Sequence, residues 1–168
     1  MVNNKEFQIV VPLYSRLMAR GAGANVKGIF GSTNWHWSLQ DAGSQAFVRS
    51  FGTKYGFPPS QAAHTVYCQT MLYADAVNRA GSFNPCAVVE ALEDFEFDGL
   101  GNGKTLYRGA DHQCFKDVLV VKGKENPTSE FDLLEIVEVT PVDQVTYAPD
   151  HPQMGGAAAT LGTCNPGA

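Results

Sequence analysis

Cysteine thiols and histidine imidazoles are the side chains of this sequence that could do covalent chemistry. A thiolate with a histidine base within hydrogen-bond reach can attack a carbonyl carbon, which is the chemistry of a thiol amidohydrolase. The candidates are Cys68, Cys114, His64 and His112. The sequence has no nucleophile motif such as G-x-S-x-G. Hydrolysis is therefore a weaker hypothesis than binding, and no catalytic residue is predicted.

A second candidate for chemistry is the run Asp111, His112, Gln113, which places an imidazole beside a carboxylate. Such a pair can act as a general base or bind a metal ion. Successive side chains of an extended segment point to opposite sides, however, so the three side chains do not converge easily. A structural role is therefore favoured for this run.

The four cysteines are too scattered to predict a metal site. Cys68, Cys86, Cys114 and Cys164 form no C-x-x-C pair and lack the spacings of structural zinc sites. We expect neither a metal ion nor a cofactor. An even number of cysteines fits disulfides and also fits four reduced, buried thiols, and the count does not decide between them.

The elements that must position these side chains begin with a predicted N-terminal helix. Its apolar residues recur at three- and four-residue spacing: Val10, Leu13, Tyr14, Leu17 and Met18. Proline is tolerated in the first helical turn, so Pro12 indicates a helix that starts near Val11 or is kinked there. Gly21 is placed to end it, and residues 26–31 are expected to form a short buried strand.

Two longer helices are predicted next. The first covers residues 42–55, with Phe47, Phe51 and Tyr55 on one stripe and Gly56 at its end. The second covers residues 61–80, with Ser60 as N-cap. Its core face is expected to carry Ala63, Val66, Tyr67, Thr70, Ala74 and Val77.

The second half of the chain is expected to change from helix to strand. Asn84 followed by Pro85 predicts the start of a short helix. The glycine-rich residues 98–103 predict turns, because glycine adopts positive φ at little steric cost. Extended segments are predicted at residues 105–108, 115–122 and 131–139, and an irregular tail from residue 141.

Composition limits the class of protein. The chain has 168 residues, with 12 Lys and Arg against 17 Asp and Glu, which gives a net charge of −5. One domain is the default at this length. Nucleic-acid binding is disfavoured because phosphate neutralisation needs clustered cations. No stretch approaches the ~20 apolar residues of a membrane span.

The predicted order of elements is unusual for a self-sufficient domain. One N-terminal strand cannot form a parallel sheet alone, and the helices of residues 42–92 have more apolar face than the few predicted strands would cover. We therefore expect that an upstream part is missing. Exposed sheet edges and helix faces would then favour poor solubility or a homo-oligomer.

A series of short motifs follows along residues 27–120. They are KGIFG (27–31), QAFV (45–48), KYG (54–56), YADAVNRAG (73–81), AVVEAL (87–92), FDG (97–99), LYR (106–108), ADHQ (110–113) and DVLV (117–120). Each motif is weakly specific, but their collinear succession resembles the C-terminal part of the leucine/isoleucine/valine-binding type of periplasmic solute-binding protein. The hairpin and tail after residue 121 fit this family less specifically.

The resemblance implies an α/β chain that forms part of a two-lobed periplasmic-binding-protein type 1 fold, with parallel sheets flanked by helices and the N-terminal portion absent. Residues 1–32 would belong to the second lobe and residues 42–95 would be first-lobe helices. Residues 105–140 would be returning strands, and residues 141–168 an irregular tail. The export signal would be absent with the N-terminal portion, and the family's location would be periplasmic.

The resemblance also places the loop of residues 34–37 at a crossover beside the ligand cleft. The predicted ligand-binding residues of this loop are Asn34, Trp35, His36 and Trp37. Indole faces stack well on a flat or aliphatic ligand, and exposed tryptophans otherwise cost apolar exposure. The alternative is that both tryptophans pack the hinge.

Two further ligand-binding residues are predicted on the long helix. His64 lies in its first turn, where free N–H groups favour an anion, and the resemblance points this helix start at the cleft. Tyr67 is adjacent, although a core position is more common for such a tyrosine. The more common alternative for His64 is a surface histidine or one satisfied within the core. Within the resemblance, a Cys114–Cys164 disulfide would pin the tail near the hinge in an oxidising compartment.

The implied function is a solute-binding component of an ABC importer, acting without chemistry. Its partners would be an ABC permease and a small ligand, namely a branched-chain or aromatic amino or organic acid, or an amide. Alternatives are a ligand-sensing regulator on the same fold and, less favoured, a thiol amidohydrolase.

Overall fold

The computed structural model describes residues 7–154 and Cys164, which form an α/β chain with three consecutive helices followed by five consecutive strands in its second part. In chain order the elements are β1 Val10–Val11, α1 Arg16–Ala22, β2 Phe30–Thr33, α2 Ala42–Tyr55, α3 Gln61–Ala80, α4 Pro85–Leu92, β3 Phe95–Phe97, β4 Thr105–Arg108, β5 Gln113–Phe115, β6 Val118–Gly123, β7 Leu134–Thr140 and α5 Val142–Val145. Short 3-10 turns occupy Gly23–Val26 and Pro152–Met154. None of the helices in this described part is long and apolar enough to cross a membrane.

The N-terminal helix is shorter than predicted. Val10 and Val11 form β1, which pairs in parallel with β2, and α1 begins only after Ser15, whose hydroxyl accepts a hydrogen bond from the Met18 N–H. Pro12 lies in the turn between them, and Leu13 has a φ of 55°. Helical spacing at residues 10–14 was therefore misleading, because strand pairing with β2 overrides it.

The three central helices start and end where local signals place them. Asp41, Ser60 and Asn84 cap α2, α3 and α4, each side chain accepting a backbone N–H of the first turn. Gly56 and Gly81 end α2 and α3 in the left-handed conformation. The predicted caps Ser60 and Asn84 and the predicted end of α2 at Gly56 are confirmed, since a cap depends on neighbouring residues only. The cap by Asp41 was not predicted.

The buried face of α3 differs from the prediction. His64, Leu72 and Ala76 are buried, whereas Val66 is 62% exposed. Contacts with α4 and the neighbouring loops bury one side of α3. The spacing of the apolar residues alone had predicted burial of a different side.

Two sheets organise the described chain. The larger has the order β1-β2-β6-β7, and only its β1–β2 pair is parallel. The smaller is the antiparallel meander β3-β4-β5. A core cluster packs around the larger sheet: Tyr14, Ala19, Val26, Leu119, Val121, Leu133 and Leu134. At Gly31 a Cβ would lie 2.4 Å from the Cβ of Tyr14, so this close approach requires glycine.

The predicted Cys114–Cys164 disulfide is wrong. Cys164 is bonded to Cys86 near the start of α4, with their Cα atoms 5.4 Å apart, and Cys114 on β5 is a free, exposed cysteine. Disulfides require Cα atoms within about 4.4–6.8 Å, and the fold brings α4 rather than β5 to that distance. The tail cysteine is therefore tied to the helices. Of the predicted irregular tail, residues 155–163 and 165–168 lie outside the described residues, whereas residues 141–154 contain α5 and a 3-10 turn.

Candidate functional site

The principal cavity has a volume of about 440 Å³ and lies between α3 and the small β3-β4-β5 sheet. The loop after β2, the start of β6 and α5 complete its wall. Its apolar lining consists of Leu72, Phe97, Leu100, Phe115, Val118 and Val145. Its polar lining includes Asn34, His64, Thr65, Cys68, Tyr107, Cys114 and Lys116. A cavity of this size with apolar walls and few polar groups has the form of a small-molecule site.

His64 is held rigidly in this wall. Its Nε2 lies 2.7 Å from the carbonyl oxygen of Leu100, which only accepts, so Nε2 carries the proton and donates it. Burial lowers the pKa of His64 to about 4. The imidazole is therefore neutral near pH 7 and brings no charge to the cavity.

Cys68 lies one helical turn after His64, and its Sγ is 3.4 Å from the His64 Nε2. Burial raises the pKa of the Cys68 thiol while it lowers that of the imidazole. Both shifts oppose the thiolate–imidazolium pair that a cysteine hydrolase requires. The sequence suggested this pair for an amidohydrolase, and the geometry brings the two side chains together without activating the sulfur.

Cys114 faces the same cavity from β5. Tyr107 lies directly opposite it on β4. Although Cys114 is exposed as a residue, the atoms around its sulfur desolvate the thiol and raise its pKa. Burial together with the neighbouring sulfur raises the pKa of Tyr107 to about 12. Both groups are protonated near pH 7 and act as neutral polar surface.

Lys116 is the cation of the cavity wall. Its Nζ donates a long hydrogen bond of 3.4 Å to the carbonyl oxygen of Gly101, and burial lowers its pKa. Sequence reasoning missed this residue, because its place in the cavity depends on segments that only the fold brings together.

Asn102 fixes the loops around the cavity. Its buried amide Nδ2 donates to the carbonyl oxygens of Asn34 and Asp117, at 2.5 and 2.9 Å. Its φ of 59° is a left-handed conformation that asparagine tolerates. The sequence predicted a turn here but not this bridging role, because both partners are distant along the chain.

The predicted ligand-binding residues fall into different environments. Asn34 and His64 line the principal cavity. Trp35 is only 1% exposed, stacks on His64 and donates its Nε1–H to the Ser44 Oγ at 2.9 Å. Ligand contact by these three residues stays a prediction.

The other three predicted residues are not among those that line this cavity. His36 is buried, with its Nδ1 2.7 Å from the Ser38 Oγ. Trp37 lines a second, open hollow with Phe57, and Tyr67 stacks on Phe47 with ring centroids 4.6 Å apart. Packing accounts for Tyr67, which is the alternative that the sequence favoured for it.

Comparison with known protein families shows which family the chain belongs to. The family described as periplasmic binding protein matches residues 2–128. The chain belongs to this family. The resemblance read from the motifs is thereby confirmed, and periplasmic binding proteins of this kind are substrate-binding proteins rather than enzymes.

Solved structures of periplasmic binding proteins share the fold. An amino acid ABC transporter substrate-binding protein from Pseudomonas fluorescens Pf-5 has a TM-score of 0.77 and 18% identity, over 94% of this chain and 41% of its own. A branched-chain amino acid ABC transporter ligand-binding protein from Burkholderia xenovorans LB400 has a TM-score of 0.66 and 25% identity, over 77% and 35%. A solute-binding protein from R. palustris in complex with benzoate has a TM-score of 0.65 and 18% identity, over 86% and 36%.

The chain thus spans about two fifths of the length of these periplasmic binding proteins, which agrees with a part of the two-lobed fold. A comparison with curated proteins gives no match.

Proposed function

We propose that the chain forms part of the solute-binding component of an ABC importer for amino acids or related small organic acids and amides. The observation that carries this proposal is the cavity of about 440 Å³ between α3 and the small sheet, in a member of the periplasmic binding protein family. Its volume lies in the range of small-molecule sites, about 300–1,000 Å³.

The protein binds its solute without changing it. The neutral His64 and the protonated Cys68 support this, because neither is poised as base or nucleophile. Transport follows from closure of the lobes around the ligand and docking on the permease, in the periplasm. The related structures carry names of amino acid transporters, and one holds benzoate, which supports a small organic acid as ligand.

A matched pair of substitutions on α3 tests whether the cavity binds the solute. Thr65 lines the cavity and its hydroxyl bonds to the Gln61 carbonyl oxygen at 3.1 Å. Thr70 is exposed, and its hydroxyl bonds to the Val66 carbonyl oxygen at 2.8 Å. Thr65→Trp fills the cavity, whereas Thr70→Trp places the same indole outside it.

The measurement is isothermal titration calorimetry of the 168-residue chain with leucine, valine, phenylalanine, benzoate and acetamide. We expect at least one of these solutes to bind. Thr65→Trp should weaken the affinity for that solute about tenfold or more, because the indole fills the space. Thr70→Trp should leave the affinity unchanged. Absence of binding by the whole panel, or equal binding by Thr65→Trp, would contradict the proposal.

A further inference from the structure

Lys116 lacks a counter-ion within the described chain. No ion pair of residues 7–154 includes it, since all carboxylate oxygens there lie more than 4.0 Å from its Nζ. Its one hydrogen bond to the described residues is the long contact of 3.4 Å with the Gly101 carbonyl oxygen. A half-buried ammonium with unused donors is costly unless an anion joins it.

Burial lowers the pKa of Lys116 and the charges of Asp41 and Asp117 act to raise it, but both carboxylates form their hydrogen bonds elsewhere. Asp41 accepts the N–H groups of Ser44 and Asn102, at 2.8 and 3.4 Å. Asp117 accepts the N–H of Val142 at 2.9 Å. These bonds hold the α2 N-terminus and the β7–α5 junction, so the aspartates serve the fold rather than the amine.

The other titratable groups of the cavity wall are neutral near pH 7. His64 carries its proton on Nε2 alone, and the thiols of Cys68 and Cys114 are protonated, as is Tyr107. The described wall of the cavity contains no Asp or Glu. Its formal charge is therefore +1, from Lys116.

The remaining wall is apolar and partly aromatic. Phe97, Leu100 and Phe115 offer hydrocarbon surface to the body of a ligand. The buried Oδ1 of Asn34 has no hydrogen-bond partner among the described residues and can accept from a ligand hydroxyl. One neutral acceptor does not compensate a desolvated ammonium, however, which needs a carboxylate or several oxygens.

We infer that this cavity selects a small monocarboxylate with an apolar body, and that Lys116 pairs with its carboxylate. The inference rests on the proposed function and narrows it. A net charge of −1 on the ligand balances the wall, whereas a zwitterionic amino acid brings an ammonium group for which the wall has no anion. Lys116 is thus a specificity-determining residue.

Three probes of similar size separate the possibilities in calorimetry with the 168-residue chain. Benzoate carries the anion, benzamide is its neutral isostere, and L-phenylalanine is zwitterionic. We expect benzoate to bind about tenfold or more tightly than either of the others, as a hydrogen bond to a charged group implies. This comparison needs no substitution and therefore does not depend on how a variant folds.

Lys116→Met tests the residue itself. This substitution should weaken the affinity for benzoate about tenfold and leave the affinity for benzamide unchanged, because only the anion pairs with the amine. Lys122→Met is the matched control: Lys122 lies on β6 beside the Phe30 ring and does not line the cavity. Circular dichroism shows whether both variants keep the fold.

Two results would overturn the inference: phenylalanine or benzamide binding as tightly as benzoate, or benzoate binding unchanged in Lys116→Met. If a neutral or zwitterionic solute binds and benzoate does not, the inference is wrong and the proposed function stands. If no solute of either panel binds, both are wrong.

Discussion

The imidazole of His64 lies flat on the indole of Trp35, with ring centroids 4.3 Å apart and planes inclined by 5°. This stack joins the first turn of α3 to the loop that follows β2. Phe47 of α2 packs its ring edge against both partners. The wall of the principal cavity therefore rests on an aromatic cluster that is buried among three elements.

The two buried histidines, His36 and His64, should make stability depend on pH. Burial lowers the pKa of each to about 4 from the ordinary value of 6.5. Between these pH values the unfolded chain binds protons that the folded chain does not. The free energy of unfolding should therefore fall as pH decreases from 6.5 towards 4, by up to about 1.4 kcal/mol per pH unit for each histidine.

Urea unfolding between pH 5 and 8 measures this dependence, and NMR of the imidazole C–H groups reports protonation directly. The slope contributed by these histidines fades above about pH 7.5, where the unfolded imidazoles are also neutral. His36→Gln should make the profile shallower below pH 6.5. A titration of either buried imidazole near pH 6.5 in the folded state would refute the expectation.

The hydrogen bond from Trp35 to Ser44 should stabilise the aromatic cluster. Ser44 is fully buried, and Ser44→Ala would leave the indole Nε1–H without its acceptor. We expect a loss of about 1–3 kcal/mol in the free energy of unfolding. Ser50→Ala on the same helix is the control, because Ser50 is exposed and bonds back to the Ala46 carbonyl oxygen. Equal stability of the two variants would show that the indole bond contributes nothing.

Two substitutions at Asn102 separate the stability contributed by its side-chain hydrogen bonds from the cost of its left-handed backbone. Asn102→Gly removes the amide that bridges Asn34 and Asp117 but tolerates the positive φ, and should cost about 1–3 kcal/mol. Asn102→Ala adds the strain of a Cβ in the left-handed region, about 1 kcal/mol more. Urea denaturation of both variants measures the two effects. An alanine variant as stable as the glycine variant would argue against the strained conformation.

The Cys86–Cys164 disulfide can be checked by peptide mapping without reduction. The map should contain a cross-linked peptide pair from these two cysteines, with Cys68 and Cys114 open to alkylation after unfolding. Cys86→Ser should lower the free energy of unfolding by about 2–5 kcal/mol, since the bond closes a long loop. Cys114→Ser should leave the cross-link intact. A Cys114–Cys164 peptide would restore the pairing that the resemblance suggested.

Local sequence signals predicted the helical part of the fold well. The caps Asp41, Ser60 and Asn84 and the terminal glycines Gly56 and Gly81 set helix boundaries through bonds between residues at most a few positions apart. The ordered motifs also indicated the family. The N-terminal helix failed because β1 pairs with a strand about twenty residues later.

Of the candidate site, the sequence supplied Asn34 and His64 but not Lys116 or Asn102. Lys116 and Asn102 have their roles only through partners that the fold brings near. Gly101 lies beside Lys116, and Asn102 bridges Asn34 and Asp117. No pattern of neighbouring residues marks such contacts.

The sequence by itself determined the boundaries of α2 and α3, the net charge and the relationship to periplasmic binding proteins, because these depend on local chemistry and on the order of motifs. Only the tertiary structure decided which face of α3 is buried, which cysteine joins Cys164 and where a solitary ammonium meets an apolar cavity. Burial, bond distance and desolvation are properties of segments that meet from far apart along the chain, and folding alone brings those segments together.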